Sequence, residues 1–553
     1  MKKLSIILLC LMLGRASGQL LPGINPNPKE GEAVEAMPPL KSAEPAEGGG
    51  GAELCRHLRA IRLETPLDGT LQDIPDGVSA GDELRLPSPV TLAVKLDRWL
   101  GRALTQKDLE EIADAVLIHY DAEGYPVVGV DVPEQDLASG ALRLLVQVGR
   151  IGNVGVKRPG YGQAKAITQG LKLRSGDVLE RDDLDNQLAW YGRTAFRKPQ
   201  LLVSPGYEPA TADLLIVLAE KKPWSASVGY DNSGPQDLGK ERLSFGFAGM
   251  TPNEHVIGWQ SVFGTPISSM QAHALGWEIP FQKAHQSLQL DAVYAKVFTR
   301  SLNSGLPVEN NGTSWSAGAM QKFFLPSLGR WRQRLAVGFE VKSTDQFLLF
   351  GGSEFTPGEV RLVNGKLNYG VGRDWENGAF NFDTTLIHAP GNLISGNDDA
   401  DFEAYDTEAK SDYLVWRAAS SGWWSPGNDW RIALRGSAQL ANSALLPVEQ
   451  YAVGGYQTVR GVPERDFYAD GGCEASLEIY TPAILVKNLY QMRFLAFHDQ
   501  AALRNRGDSL FWVAGAGVGV RLSLTDHVDV RLDQGWRLDD HGSQTHFGLM
   551  ISF

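Results

Sequence analysis

Two rhythms of apolar spacing divide the chain. Between residues 56 and 222 the apolar positions recur at helical intervals, broken by short continuous runs. Thr105, with Asp108 three residues on, forms a capping-box pattern. Leu109, Ile112, Ala113, Val116, Leu117 and Tyr120 then fall on one face, and Gly124 ends the pattern. Strands are predicted at 58–64, 125–132 and 141–148, with an earlier helix at 90–100. A shorter version follows, with a strand at 151–156, helices at 164–171 and 181–191, and two closing strands, the last at 213–220. The segment thus holds two β-α-α-β-β units, 56–148 and 149–222, alike in topology rather than in sequence.

After Pro223 the helical spacing vanishes, and segments of about ten residues alternate between apolar and small or polar positions. Leu243, Phe245 and Phe247 face one way, while Ser244, Gly246 and Ala248 face the other. At the end of the chain Phe547, Leu549, Ile551 and Phe553 oppose Gly548, Met550 and Ser552. About sixteen such segments fill 223–553, an even number as bacterial outer-membrane barrels favour. Connections alternate between brief turns (251–253, 325–329, 425–428) and long linkers (near 299–311, 389–409 and 441–472). A water-soluble sandwich would bury its large residues, but about 330 residues of hairpins exceed such a fold. The expectation is a transmembrane antiparallel barrel, with large side chains on lipid and small ones on the lumen.

The N-terminal segment sets the compartment. Lys2 and Lys3, an apolar stretch over 4–13 and Ala16-Ser17-Gly18 predict a signal peptide at 1–18. Cys10 lies inside that apolar stretch after the bulky Leu9, and reads as an ordinary apolar position rather than a lipidation site. Residues 19–55, rich in Pro, Glu and Gly and including four glycines at 48–51, cannot bury a core and read as a disordered arm. No later run of 18 apolar residues predicts a membrane helix.

Composition narrows the chemistry. A net charge of -13 argues against a nucleic-acid partner. Three cysteines without metal-ligand spacing, and ten histidines without an HExxH pair, imply neither a metal nor any other cofactor. Gly77-Val78-Ser79-Ala80-Gly81 matches the serine-hydrolase elbow pattern. The turn-like Gln72-Asp73-Ile74-Pro75-Asp76 before it supplies no buried strand, so a solvated loop is expected and no enzyme is implied. Arg506-Gly507-Asp508 is read as chance, and Gly515, Gly517 and Gly519 as a strand with a small inward face.

One segment remains, GGYQTVRGVPERDFYADGG at 454–472. Gly461 permits a tight turn that presents Arg460, and a confined cation requires a fixed anion. Asp499, at the end of Phe494-Leu495-Ala496-Phe497-His498-Asp499, is a candidate partner on the strand after next. A bidentate pair would pin the loop inside the barrel. On spacing alone, a solvent-facing loop with incidental charges is the favoured reading.

The combination resembles the TpsB transporters of two-partner secretion, the haemolysin- and filamentous-haemagglutinin-type secretors of the Omp85 superfamily. Gly101-Arg102-Ala103-Leu104-Thr105, the stretch 120–125, Ser139-Gly140 and Gly149-Arg150-Ile151 resemble a first POTRA domain. Gly170-Leu171-Lys172-Leu173 and Gly176-Asp177-Val178-Leu179 resemble a second. Gly454-Gly455 with Val459-Arg460-Gly461 is similar to the family's loop signature, Phe497-His498-Asp499 to its partner strand, and the terminal Phe553 to a barrel-recognition signal. The chain departs from the pattern at Val462, where an aromatic is usual, and at Ala501, where a glycine is usual. It departs again at Arg197-Lys198-Pro199, in place of an Asn-x-Asn-Pro-like turn, and at Ala210, in place of a glycine.

The resemblance implies two POTRA-like domains ahead of a barrel of about 16 strands in the outer membrane of a Gram-negative bacterium, the POTRA domains in the periplasm. It further implies export of an unfolded, TpsA-like β-helical exoprotein of adhesin or haemolysin type, with lipid and the barrel assembly machinery as further partners. The runner-up is an Omp85-type factor that inserts other barrels. Val459, Arg460, Gly461 and Asp499 would form the loop lock.

Overall fold

The computed structural model describes residues 53–66, 74–157, 164–220, 222–235, 239–303, 306–350, 353–486, 490–525 and 527–553. The expected signal peptide and the arm up to residue 52 lie outside the described residues. The arm's expected last residues do not: Glu53–Cys55 form a short strand paired with Leu104–Thr105, which ties this segment to the first α/β unit.

That unit is a four-stranded sheet in the order Gly77–Ala80, Ala60–Glu64, Ala141–Val148, Val128–Asp131. Helix Gln106–Ala122 starts at Thr105, whose Oγ1 accepts from the Asp108 amide (3.2 Å) while Asp108 Oδ2 accepts from the Thr105 amide (3.0 Å). Ile112, Val116 and Tyr120 are buried on its inner face among Leu142, Leu144 and Val146 of the sheet. The earlier helix spans Pro89–Leu96 and closes with a tighter turn at Asp97–Trp99. The Gly77–Ala80 segment is a correction. It is an edge strand in parallel register with Ala60–Glu64, its backbone satisfied by the sheet rather than by water.

The second unit has three strands in the order Arg150–Lys157, Thr211–Glu220, Arg197–Pro205, with helices Ala164–Gln169 and Arg181–Tyr191. Its last helix and the turn after it dock on the barrel. Glu254, in the turn between barrel strands 2 and 3, accepts from Arg193 Nη2 (2.6 Å) and Gln282 Nε2 (2.8 Å) and pairs with Arg197. The Trp190 indole donates to Gln282 Oε1 (3.1 Å) and stacks on His285, ring centroids 4.7 Å apart. His285 Nε2 lies 2.7 Å from the Gly170 carbonyl. Both Arg193 and Glu254 have fully buried side chains, so the joint is dry.

The barrel closes with sixteen strands, the first Trp224–Asp231 and the last Ser543–Ser552, all antiparallel. A further short strand, Ile484–Val486, belongs to the turn between strands 12 and 13. The alternation reads as expected: Phe247, Leu275, Phe339 and Leu434 are exposed on the outer face. Among the described residues nine barrel tryptophans are exposed. Trp424 and Trp430 sit at a short turn and Trp512 and Trp536 near the opposite rim, placed as the aromatic girdles of outer-membrane barrels are.

One expected linker is absent. Residues 299–303 and 306–311 are paired strand rather than loop, from Phe298↔Asn311 to Asn303↔Leu306. Strands 5 to 8, Gln286–Asn303, Leu306–Leu328, Trp331–Phe350 and Ser353–Trp375, run 18 to 23 residues, against 8 to 16 elsewhere in the barrel. The linkers near 389–409 and 441–472 are loops, the former carrying the short helix Asp399–Glu403.

Candidate functional site

The connection between strand 11 (Trp430–Ala441) and strand 12 (Gly471–Tyr480) turns back into the barrel. A short ladder, Tyr451–Val453 with Phe467–Ala469, forms its stem. Beyond the stem the chain makes the turn that carries Val459, Arg460 and Gly461. Gly461 has φ +96°, and a Cβ there would meet the backbone of Trp536 and Arg537 on strand 15 at 2.7–2.8 Å. Gly515 on strand 14 serves the same fit from the wall side, since a Cβ on it would collide with the Arg460 carbonyl. The small inward face of strand 14 is therefore the seat of the loop tip.

Arg460 is wholly buried and faces strands 12 and 13. Its Nε donates to Asp499 Oδ2 at 2.7 Å and its Nη2 to Asp499 Oδ1 at 2.8 Å, the two-pronged geometry that suits a planar guanidinium. The Arg460 amide also donates to Oδ2 (3.1 Å), so the carboxylate holds the loop backbone as well as its side chain. Ser476 Oγ donates to Asp499 Oδ1 (2.6 Å) and accepts from Arg460 Nη2 (3.2 Å). Glu478 Oε1 lies 2.7 Å from Nη1, and the Phe497 ring sits 3.5 Å from the guanidinium carbon. One buried cation is thus shared between two carboxylates and backed by an aromatic face.

The structure brings Val459, Arg460, Gly461 and Asp499 together and places Phe553 elsewhere. Phe553 is the exposed last residue at the seam between strands 1 and 16, where its amide donates to the Ala226 carbonyl (2.8 Å). Spacing did not single out Ser476 or Glu478. The signal was present in the alternation of strand 12, where Glu474, Ser476 and Glu478 share the face opposite Leu477 and Ile479. Two of the departures from the resembled pattern, Val462 and Ala501, lie in one buried apolar cluster with Val459, Val453 and Val513.

Between the loop and the second α/β unit lies a cavity of 1610 Å³, lined by Asn186 and Arg193 of that unit, Tyr456 of the loop, and Arg435, Glu478 and Arg521 of the wall. Tyr456 packs under the Arg531 guanidinium at 3.4 Å, which ties the loop to strand 15 as well. The arrangement holds no group of metal-ligating side chains among the described residues. What it can do is fix a loop in the lumen and present a mixed-charge chamber to whatever enters from the short-turn end.

Comparison with known proteins follows this geometry. Residues 84–149 match the ShlB-type POTRA domain. The outer membrane transporter CdiB-2 of Burkholderia pseudomallei (strain 1026b) is 29% identical over 196 residues, covering 32% of this chain and 32% of that protein. The heme/hemopexin transporter protein HuxB of Haemophilus influenzae (strain 86-028NP) is 23% identical over 170 residues, covering 30% and 29%. The matches thus span about a third of the length of these curated relatives. Solved structures of CdiB from Escherichia coli (TM-score 0.71, 17% identity) and from Acinetobacter baumannii (TM-score 0.65, 16% identity) share the fold, each over 94% of both chains. Residues 211–522, more than half of the sequence, match the family model of the haemolysin secretion/activation proteins, and the chain belongs to that ShlB/FhaC/HecB family.

Proposed function

We propose that this protein is an outer-membrane transporter that receives an unfolded partner exoprotein in the periplasm and passes it through its barrel to the cell surface. The observation that carries the reading is the buried Arg460–Asp499 pair, which holds a displaceable loop inside a barrel whose chamber opens toward the second α/β unit. Transport of a folded chain is sterically unreasonable through such a lumen, so the client travels extended. The second sheet has two edge strands among the described residues, Arg150–Lys157 and Arg197–Pro205, and strand addition to an edge gives affinity through backbone bonds without demanding one sequence. The client class that fits is a TpsA-like β-helical exoprotein, because strands that pair only after exit make return unfavourable. The barrel's girdled outer face takes membrane lipid, and the barrel assembly machinery is the proposed partner in its insertion, with Phe553 as the signal it reads.

In this mechanism Arg460, Asp499, Val459 and Gly461 position the loop, and no bond is made or broken. The test is deletion of the protein from its host. Loss of a single large exoprotein from the medium, with other outer-membrane barrels at normal levels, is the expected result. Depletion of many barrels with no exoprotein lost would establish a barrel-assembly role instead.

A further inference from the structure

The loop carries a second charged side chain into the lumen, and it meets a different part of the wall. Glu449, just before the stem strand Tyr451–Val453, is fully buried. Its Oε1 accepts from Lys342 Nζ (2.9 Å) on strand 7 and from Asn364 Nδ2 (3.0 Å) on strand 8. Its Oε2 accepts from Arg417 Nη2 (2.7 Å) on strand 10, which also reaches the Glu449 carbonyl (3.0 Å). Gln439 Nε2 donates to the same carbonyl at 2.8 Å. Lys342 and Lys366 further share Glu340, at 3.2 and 2.7 Å. Tyr413 donates to Asn364 Oδ1 (2.8 Å) and orients the amide toward the carboxylate.

The charges decide what this cluster is. Lys342, Lys366 and Arg417 contribute three positive charges, and Glu340 and Glu449 two negative ones. With the loop in place the excess is one positive charge. With Glu449 gone it is two, on wall side chains that are already largely withdrawn from water, an arrangement that calls for an anion. The wall was therefore built around a carboxylate that the wall itself does not own. Above it, Leu445, Leu446 and Val448 of the loop pack with Phe402, Ile387 and Leu362, so carboxylate and apolar cover leave together.

We propose that Lys342, Lys366 and Arg417 form a carboxylate-binding site of the pore wall, filled by Glu449 in the closed state and by acidic side chains of a passing chain once the loop is displaced. Glu449 is then a positioning residue, anchored to strands 7, 8 and 10 while Arg460 anchors to strands 12 and 13. The identity of the competing ligand rests on the export reading. The site itself does not, and it is tested electrically without any client.

The full chain is reconstituted in planar bilayers, and a ten-residue glutamate peptide is added on the short-turn side. Glu449→Gln keeps the shape of the side chain and removes its charge. It is expected to open far more often than the native chain and to be blocked by the peptide. Block should require at least 10-fold more peptide in Glu449→Gln/Lys342→Gln/Arg417→Gln. A ten-residue lysine peptide should not discriminate the two. Equal glutamate block in both variants overturns the site. If Glu449→Gln fails to insert, the native chain and Lys342→Gln/Arg417→Gln are compared in the same way during their spontaneous openings, with the same expected and overturning outcomes.

Discussion

The loop tip and the joint each hold a dry cluster of arginine and carboxylate, and the two use the same chemistry in opposite stoichiometry. In the lumen one arginine, Arg460, serves two acids, Asp499 and Glu478. At the joint between the second α/β unit and the barrel one acid, Glu254, serves two arginines, Arg193 and Arg197. The residue whose loss strands the most charge is therefore a cation in one place and an anion in the other. The lumen cluster fixes a loop of the barrel onto its own wall. The joint cluster fixes one folded unit onto another, through residues 57 and 61 positions apart in the chain. A loop seated on its own wall and a joint between two folded units are thus held by one kind of bond.

The sharpest way to break the comparison is to remove both hubs in turn. Glu254→Ala removes the carboxylate that the buried Arg193 and Arg197 share and is expected to cost about 3–5 kcal/mol at the joint. The measurement is protease release of the N-terminal units from a barrel that still runs as a folded, heat-modifiable band. Arg460→Ala should cost a similar about 3–5 kcal/mol locally, lowering exoprotein export while the barrel still inserts. Asp499→Asn should be milder than Arg460→Ala, because Glu478 still neutralises the cation. A larger effect for Asp499→Asn would show that Glu478 carries none of the balance.

The joint should also respond to acid. Burial drives His285 down to about 4, keeping its ring neutral against the Gly170 carbonyl. Its unfolded counterpart takes up a proton near pH 6.5, so joint stability should fall as pH drops from 6.5 toward 4, by on the order of 1–3 kcal/mol. Burial pushes the Glu254 carboxyl up, but Arg193 and Arg197 outweigh that and hold it below its ordinary value. Its contribution is present above the usual carboxylate range and is lost only as pH falls through the depressed value. His285→Gln should flatten the upper part of the profile alone, read by protease release against pH. Smallest of all, Thr105→Ala removes the helix cap of the first unit and should lower that unit's stability by about 1 kcal/mol, leaving both clusters untouched.

How much of this the sequence disclosed follows from where each residue gets its partner. The helix capped by Thr105 and the outer alternation of Leu243, Phe245 and Phe247 depend on neighbours three or two positions away, and both were legible. Arg460 and Asp499 came within reach because glycines marked a turn and a strand pattern placed the acid inward. Glu254 gave no such signal. It stands alone in a turn, with φ +67°, and its partners lie on a different folded unit. Glu449 is likewise a lone acid whose three cations come from three strands. The paired strands at 299–303 and 306–311 were read as a linker because Ser301, Asn303, Glu309, Asn310 and Asn311 show no apolar face. Alternation records contact with lipid, and a strand beyond the lipid has no reason to keep it.

Those overlong strands give the exit a shape. At about 3.3 Å per residue and a tilt near 40°, strands of 18 to 23 residues overtop a hydrocarbon band of about 25 Å by roughly 20–30 Å. Among the described residues strands 5 to 8 are the longest, so the rim stands highest along that side. If the barrel exports as proposed, a chain leaving the lumen would meet a standing row of strand backbone on that flank, and its first contact outside would be with this protein's own wall.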